Sequence, residues 1–463
     1  MNKQKRLVIP HTFTIIFLLI VFMAILTWII PSGQFQRKEI DNRLVVIPNT
    51  YEYVKENPQS IDDIFRAPID GFVDAAEIVG FVLLVGGSFG IVNKTGAIEA
   101  GINAVVKKLR GNEIIIIPIS MILFSLGGTV FGMAEETLPF YMIFVPLMLT
   151  IGYDSLTAVA TVFLGAMTGN IASTINPFSV GIAQALAQIT PGSGIAFRFL
   201  IYIILITISI IFVVFYARKI KKYPNKSIVY DLDLETKEHI QMESANIKEF
   251  TPKEIGVLII FAVGMTMMIF GVLKLGWYIS EIAMIFIAIG ILSGIIGGLN
   301  QETIAISFIE GSKDLISAAL AIALARGIVI IAQNGFIIDT MLNSAAGYLQ
   351  NLPKVVFVNL TLFLEAALAF LIPSSSGLAS LTIPVLAPLS DLVGVSVQLI
   401  VTAYQFGVGL TNMITPTSGV LMGALALANI PYSKWLRFVM PLIITLFISC
   451  MIFLTIGQII GIK

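Results

Sequence analysis

Charge is what this sequence has least of. Asp, Glu, Lys and Arg make up 12% of 463 residues, about half the share of a soluble domain, against 57% apolar residues. The apolar runs are too long and too frequent for a globular core. Lys+Arg and Asp+Glu balance at 28 each, so no basic surface for nucleic acid is expected. Cysteine occurs once, at Cys450, which excludes an intrachain disulfide and a Cys/His metal site. The two histidines, His11 and His239, lie far apart in surface-type contexts and suggest neither a metal nor a proton relay. No G-x-x-x-x-G-K-[ST] loop occurs, which disfavours ATP-driven transport by this chain alone.

What is present is a series of membrane-length runs. They lie at 12–30, 75–93, 196–217, 253–274, 278–298, 315–333 and 437–460, each near the roughly 20 residues that cross a bilayer. The first is longer than a signal peptide's apolar region, roughly 7–15 residues, and ends in Pro31-Ser32-Gly33. It reads as an uncleaved membrane helix. Two further stretches, 114–151 and 354–393, are interrupted midway by Gly, Pro, Ser or acidic residues. Their arms are short for a span, which predicts re-entrant hairpins. Each is followed by a long apolar stretch broken by polar residues and one proline, at 155–188 and 396–428.

Basic residues set orientation. Lys3, Lys5 and Arg6 place the N-terminus in the cytoplasm. Lys107, Lys108 and Arg110, then Arg218, Lys219, Lys221, Lys222 and Lys226, then Lys434 and Arg437 mark later returns. Nine crossings and two non-crossing hairpins satisfy these clusters and leave the C-terminus outside. The reading is a multi-pass protein of a bacterial cytoplasmic (inner) membrane. It has a first half at 1–217 with an extracytoplasmic loop at 31–71, a cytoplasmic linker at 218–252, and a second half at 253–463.

The halves repeat. Gly90-Ile91-Val92 returns as Gly327-Ile328-Val329, and Ile175-Asn176-Pro177-Phe178-Ser179 as Ile414-Thr415-Pro416-Thr417-Ser418. The two markers lie 84 residues apart in the first half and 86 in the second. Pro146 and Gly152 match Pro388 and Gly394 between them. Opposite entry sides make the repeats inverted. The expected fold is therefore an all-α polytopic membrane protein of two inverted repeats, each with a re-entrant hairpin and a broken helix. That combination points to a secondary transporter of a small molecule. A channel and an intramembrane enzyme are the rivals; the second would need a matching carboxylate in the other repeat.

Candidate site residues cluster at the irregular points. The first tip, 127–137, carries Thr129 and the pair Glu135-Glu136, the most expensive residues to place in a membrane. They suit a substrate ammonium or guanidinium, Na⁺ or a proton, or alternatively a structural pair with Arg326. The second tip is Pro373-Ser374-Ser375-Ser376-Gly377. Arg326 lies deep in an apolar helix and either holds a substrate carboxylate or pairs with a carboxylate such as Glu365. Asn170, Ser173, Thr174, Asn176 and Ser179 flank Pro177; Gln405, Thr411, Asn412, Thr415, Thr417 and Ser418 flank Pro416. Helix ends freed at such prolines face ions or substrate. Gly86-Gly87 reads as close helix packing.

At these motifs the chain resembles the YfcC family. The resemblance rests on Ile372-Pro373-Ser374-Ser375-Ser376-Gly377, on 409–419, on Pro431-Tyr432-Ser433-Lys434-Trp435-Leu436-Arg437, on Pro10-His11-Thr12-Phe13-Thr14 and on Gly132-Met133-Ala134-Glu135-Glu136-Thr137, and covers essentially the whole chain. It implies the C4-dicarboxylate carrier group of the ion-transporter superfamily, an elevator-like architecture and a homodimer. It implies basic amino acids or C4-dicarboxylates as substrates and no cofactor beyond a coupling Na⁺ or H⁺. Na⁺ candidates carried over are Thr129, Ser374 to Ser376, Asn170, Asn412, and above all Asn176 and Thr415. The Ser-Asn-Thr tip motif of divalent-anion/sodium symporters is absent from both hairpins. An arginine/ornithine-type antiporter is the expectation, with Glu135-Glu136 toward the basic group. A carboxylate symporter coupled to Na⁺ or H⁺ is the alternative.

Overall fold

The computed structural model describes residues 12–40, 43–108, 111–234, 251–275, 277, 279–350 and 352–462. Lys3, Lys5, Arg6, Arg110, His11 and His239 lie outside the described residues. Helix α1 spans Thr12–Ile29. The chain then forms two small antiparallel pairs: β1 (Gly33–Gln34) with β4 (Glu52–Tyr53), and β2 (Arg37–Ile40) with β3 (Arg43–Val46).

The segment read as a loop to residue 71 ends sooner. Ser60 and Asp63 form a capping box that starts α2 (Ile61–Asp74). A bend at Ala75 then joins it to α3 (Ala76–Lys94). The second half repeats the arrangement with α12 (Gln301–Asp314) and α13 (Ile316–Asn334). Both leading helices carry acidic residues on one face, so neither shows as an apolar run. Between these bent pairs lie α4 (Ala97–Lys108), α5 (Ile116–Phe131), α6 (Leu138–Thr150), α7 (Ser155–Ile171), α8 (Pro177–Leu186), α9 (Ile195–Lys222), α10 (Pro252–Phe270) and α11 (Ile279–Gly297). After them come α14 (Ile337–Leu349), α15 (Lys354–Leu371), α16 (Ser375–Val393), α17 (Val397–Asn412), α18 (Gly419–Leu427) and α19 (Tyr432–Ile460).

The hairpins are α5–α6 and α15–α16. Their arms are longer than the sequence suggests. Glu113–Phe131, Lys354–Leu371 and Ser375–Val393 are apolar helices of 19, 18 and 19 residues, or about 27–29 Å at 1.5 Å per residue; only α6 is short, at 13 residues. The second tip is correspondingly tight. Ser374 caps α16 by accepting from the Gly377 amide at 3.2 Å, so Ser375, Ser376 and Gly377 form the helix's first turn.

The two bent pairs run antiparallel. A Cβ on Gly71 would meet the Ala323 carbonyl and the Gly327 amide, while one on Gly90 would meet the Ser307 carbonyl 2.3 Å away. Small residues allow these backbones to touch. α5 lies along α7 and α15 along α17. The broken helices meet beside their breaks, where Gln405 Nε2 donates to the Asn170 carbonyl at 2.6 Å.

One end of the molecule is tied by the strands: Arg37 pairs with Asp339 at 2.7 Å, and the Gly33 amide donates to the Phe336 carbonyl at 3.0 Å. The other end is tied by the linker. Asp154 caps α7 through the Thr157 amide (2.8 Å) and accepts from Tyr216 (2.7 Å) and Ser227 (2.6 Å). Asp233 accepts from the Ser155 amide at 2.9 Å.

Candidate substrate-binding site

Four irregular segments converge between the bent pairs. α5 stops where Gly132 turns left-handed (φ 76°), and the chain makes a single helical turn at Glu135–Thr137 before α6. Glu136 accepts from the Ala134 amide at 2.9 Å and is 8% exposed, and Glu135 is half-buried beside it. The break between α7 and α8 follows from Pro177, which supplies no donor, and from Asn176, whose side chain caps α8 at the Phe178 amide.

The two halves of the chain hold tip and break together in the same way. Asn170, near the end of α7, donates to the Met133 carbonyl of the first tip at 3.1 Å. Asn412, the last residue of α17, donates to the Pro373 carbonyl of the second tip at 3.1 Å. Further bonds sew each first arm to its broken helix: Thr129 to the Ala172 carbonyl at 2.9 Å, and Thr417 to the Phe370 carbonyl at 2.8 Å.

These elements enclose a cavity of about 290 Å³, near the lower end of the roughly 300–1,000 Å³ of small-molecule sites. Glu135, Glu136, Asn170, Asn176, Arg326, Ser374, Ser375, Ser376, Gln405, Asn412 and Thr417 all line it. Five sequence candidates do not. Thr129 is spent on the first break with Thr174 beside it, Ser173 donates to the Asn170 carbonyl (2.9 Å), Thr411 donates to the Ala366 carbonyl (3.0 Å), and Thr415 lies 2.6 Å from Thr417 behind the wall. A second cavity of about 390 Å³ shares Arg326 and Ser374 with the first and reaches Gln34, Arg37 and Asp339 at the strand end.

Arg326 pairs with Asp74, not with Glu365 or the Glu135-Glu136 pair. The antiparallel crossing of α2 and α13 brings Asp74 to it, whereas Glu365 sits inside the second hairpin against Gly407. Asp74 was missed because it ends a polar stretch; its signal is a carboxylate directly before an apolar run. Arg198 was also missed. It is 1% exposed and props the first break by donating to the Thr174 carbonyl at 3.0 Å.

The lining has a clear chemical bias. Three carboxyl residues, Asp74, Glu135 and Glu136, face one guanidinium already paired with the first of them. Gln405 Oε1, Asn412 Oδ1 and Ser179 Oγ are buried oxygens without a hydrogen-bond partner. Such groups call for a donor.

Residues 9–459 match the model of the C4-dicarboxylate anaerobic carrier family, DcuC. The chain belongs to that family. The chain is a multi-span helical membrane transporter. An uncharacterized protein of Haemophilus influenzae is 34% identical over 96% of this chain and 95% of its own length. YfcC of Escherichia coli, provisionally named a basic amino acid antiporter, is 35% identical over 99% of this chain and 98% of its own. Two solved transporters overlap loosely. Neisseria gonorrhoeae MtrF, described within a class of antimetabolite efflux pumps, aligns with a TM-score of 0.43 and 18% identity, covering 98% of this chain and 96% of its own. The Alcanivorax borkumensis YdaH transporter aligns with a TM-score of 0.42 and 15% identity, covering 98% and 99%.

Proposed function

We propose that this chain is a secondary antiporter of basic amino acids of the arginine/ornithine class. The observation that carries the reading is the acceptor excess of the cavity: three carboxyl residues and the unpartnered oxygens of Gln405 and Asn412 against one guanidinium. A guanidinium or ammonium supplies the missing donors and offsets the charge. Arg326 then receives the substrate's α-carboxylate, at the side of the cavity formed by the bent pairs. The name of the Escherichia coli relative agrees with this chemistry.

The antiparallel bent pairs and the matched Asn170 and Asn412 bonds support inverted repeats. In this reading the hairpins and broken helices move as one body past the bent pairs. The strand end is extracytoplasmic, the linker end cytoplasmic, and the second cavity is the outer vestibule. A cytoplasmic-membrane location with the N-terminus inside and the C-terminus outside completes it.

Counterflow in proteoliposomes tests the reading. At equal pH on both sides, vesicles loaded with ornithine should accumulate labelled arginine rapidly, and vesicles without ornithine should not. The family's description favours a second reading, carboxylate transport, in which Arg326 anchors the substrate. Succinate uptake driven by Na⁺ or H⁺, with no arginine counterflow, would establish that reading instead.

The role of Arg326 has its own test. A charge-assisted bond contributes about 1.5–3 kcal/mol, so Arg326→Gln should raise KM for arginine about 10- to 100-fold. Asp74→Asn, which frees the guanidinium, should leave KM within about threefold by the same conversion. Equal losses in both variants would make the pair structural.

A further inference from the structure

Glu365 stands apart from the cavity chemistry. It lies in α15, within the second hairpin, with 0% exposure, and neither carboxyl oxygen has a hydrogen-bond partner. A Cβ on Gly407 of α17 would come within 2.7 Å of the Glu365 Cβ, so helix packing walls the side chain in. Two groups face it. The Thr382 hydroxyl of α16 lies within bonding reach of the carboxyl, but its one proton goes to the Leu378 carbonyl at 3.1 Å; Tyr404 of α17 donates to the Ser375 carbonyl at 2.6 Å.

Helices α13, α14 and α19 also pack on α15. None of their ionisable groups pairs with it among the described residues: Arg326 pairs with Asp74, Asp339 with Arg37, Tyr432 donates to the Ile414 carbonyl, Cys450 is a buried thiol, Tyr348 is exposed, and Lys434 and Arg437 stand in the first turns of α19. Among the described residues no cation pairs with Glu365. A carboxylate without water, cation or donor is strongly disfavoured relative to the neutral acid. Nor does the architecture demand a carboxyl there. In the first hairpin Ser125 meets Gly169 as Glu365 meets Gly407, and Ser125 is satisfied by the Tyr202 hydroxyl at 2.7 Å.

We propose that Glu365 is a proton-binding site inside the second hairpin and that it couples transport to proton movement. Tyr404 is the connection. Its hydroxyl bonds the carbonyl of Ser375, a cavity-lining residue of the second tip, and lies near enough to the carboxyl to feel its charge. When the tip shifts on binding substrate, the Ser375 carbonyl moves, the tyrosine hydroxyl is released and cavity water reaches the carboxyl. The proton passes from water to the carboxylate on one side of the membrane and returns to water on the other. The inference rests on the chain being a transporter, not on which solute it carries.

Infrared spectroscopy of the purified full-length protein tests it without substrate. Spectra are taken from roughly pH 4 to 10, between the carboxyl and tyrosine ranges. The expected result is a carboxylic acid carbonyl band that is missing from Glu365→Gln, shifts in D₂O and titrates away at high pH. Identical wild-type and variant spectra overturn the proposal, as does a band that neither shifts nor titrates. Should the Gln variant not fold, Glu365→Asp must displace the same band.

Proteoliposomes give the second readout. Labelled arginine accumulation driven by a pH gradient should be lost in Glu365→Gln, while ornithine counterflow persists and Glu365→Asp restores the drive. Unchanged gradient-driven accumulation in Glu365→Gln overturns the coupling. Absence of arginine transport in the wild type would instead overturn the basic amino acid reading, leaving the infrared result to decide Glu365.

Discussion

Replacing Glu136 with glutamine is expected to slow arginine–ornithine counterflow about 100-fold, with protein yield and thermal unfolding at wild-type levels. The substitution keeps the shape of the side chain and an acceptor for the Ala134 amide, which Glu136 now satisfies at 2.9 Å. It removes one charge from a cavity wall that is 8% exposed at this residue. Losing one partner of a desolvated charge pair costs about 2–5 kcal/mol, and about 2.7 kcal/mol corresponds to 100-fold. Glu135→Gln, at a half-buried position, should have a smaller effect because water screens its charge better. Counterflow at the wild-type rate in Glu136→Gln would remove the acidic pair from substrate recognition. Normal transport of succinate by the same variant would assign the pair a role other than holding the solute.

The second large effect is structural. Gly169→Leu should abolish the folded protein or lower its stability by about 3 kcal/mol or more, at the upper end of overpacking costs. A Cβ at Gly169 would stand 2.1 Å from the Ser125 carbonyl oxygen, and one at Gly128 would stand 2.1 Å from the Ala166 carbonyl oxygen. Both obstacles are backbone, so α5 and α7 would have to separate. That separation breaks the Thr129–Ala172 and Asn170–Met133 bonds and with them the wall of the cavity. Gly80→Leu is the control, since nothing lies within 4 Å of its Cβ direction. Thermal unfolding and monodispersity of the two variants check the prediction; equal behaviour would mean that α5 and α7 part without cost.

The effects differ because the contacts differ. The glycine contacts hold the hairpin to the broken helix backbone against backbone, so their loss affects folding. Glu136 is bonded only within its own tip, so its charge can be removed with little effect on folding.

Much of the architecture was legible without coordinates. Long apolar runs must be helical in a bilayer, because no water is available there to satisfy the backbone. Gly132, Pro177, Pro373 and Pro416 mark places where a helix cannot continue, so the tips and breaks could be located by residue type alone. The spacing of the repeat markers paired each tip and break with its counterpart. Glu135 and Glu136 stood out because charge is so costly at that depth.

The tertiary structure decided the rest. α2 and α12 are polar on one face, and only the packing of α2 on α13 and of α12 on α3 joins them to the apolar helices. Asp74 and Arg326 are 252 positions apart, and nothing local in either segment links them. Thr129, Ser173 and Thr415 carry the same chemistry as Ser374 and Thr417, yet the packing of the segments leaves the first three outside the cavity lining. Glu365 reads in the sequence as an ion-pair partner for Arg326, and among the described residues no cation pairs with it. A sequence fixes which atoms a side chain offers and which way a helix must turn. Whether an atom meets water, a substrate or another helix depends on packing between segments remote in the chain.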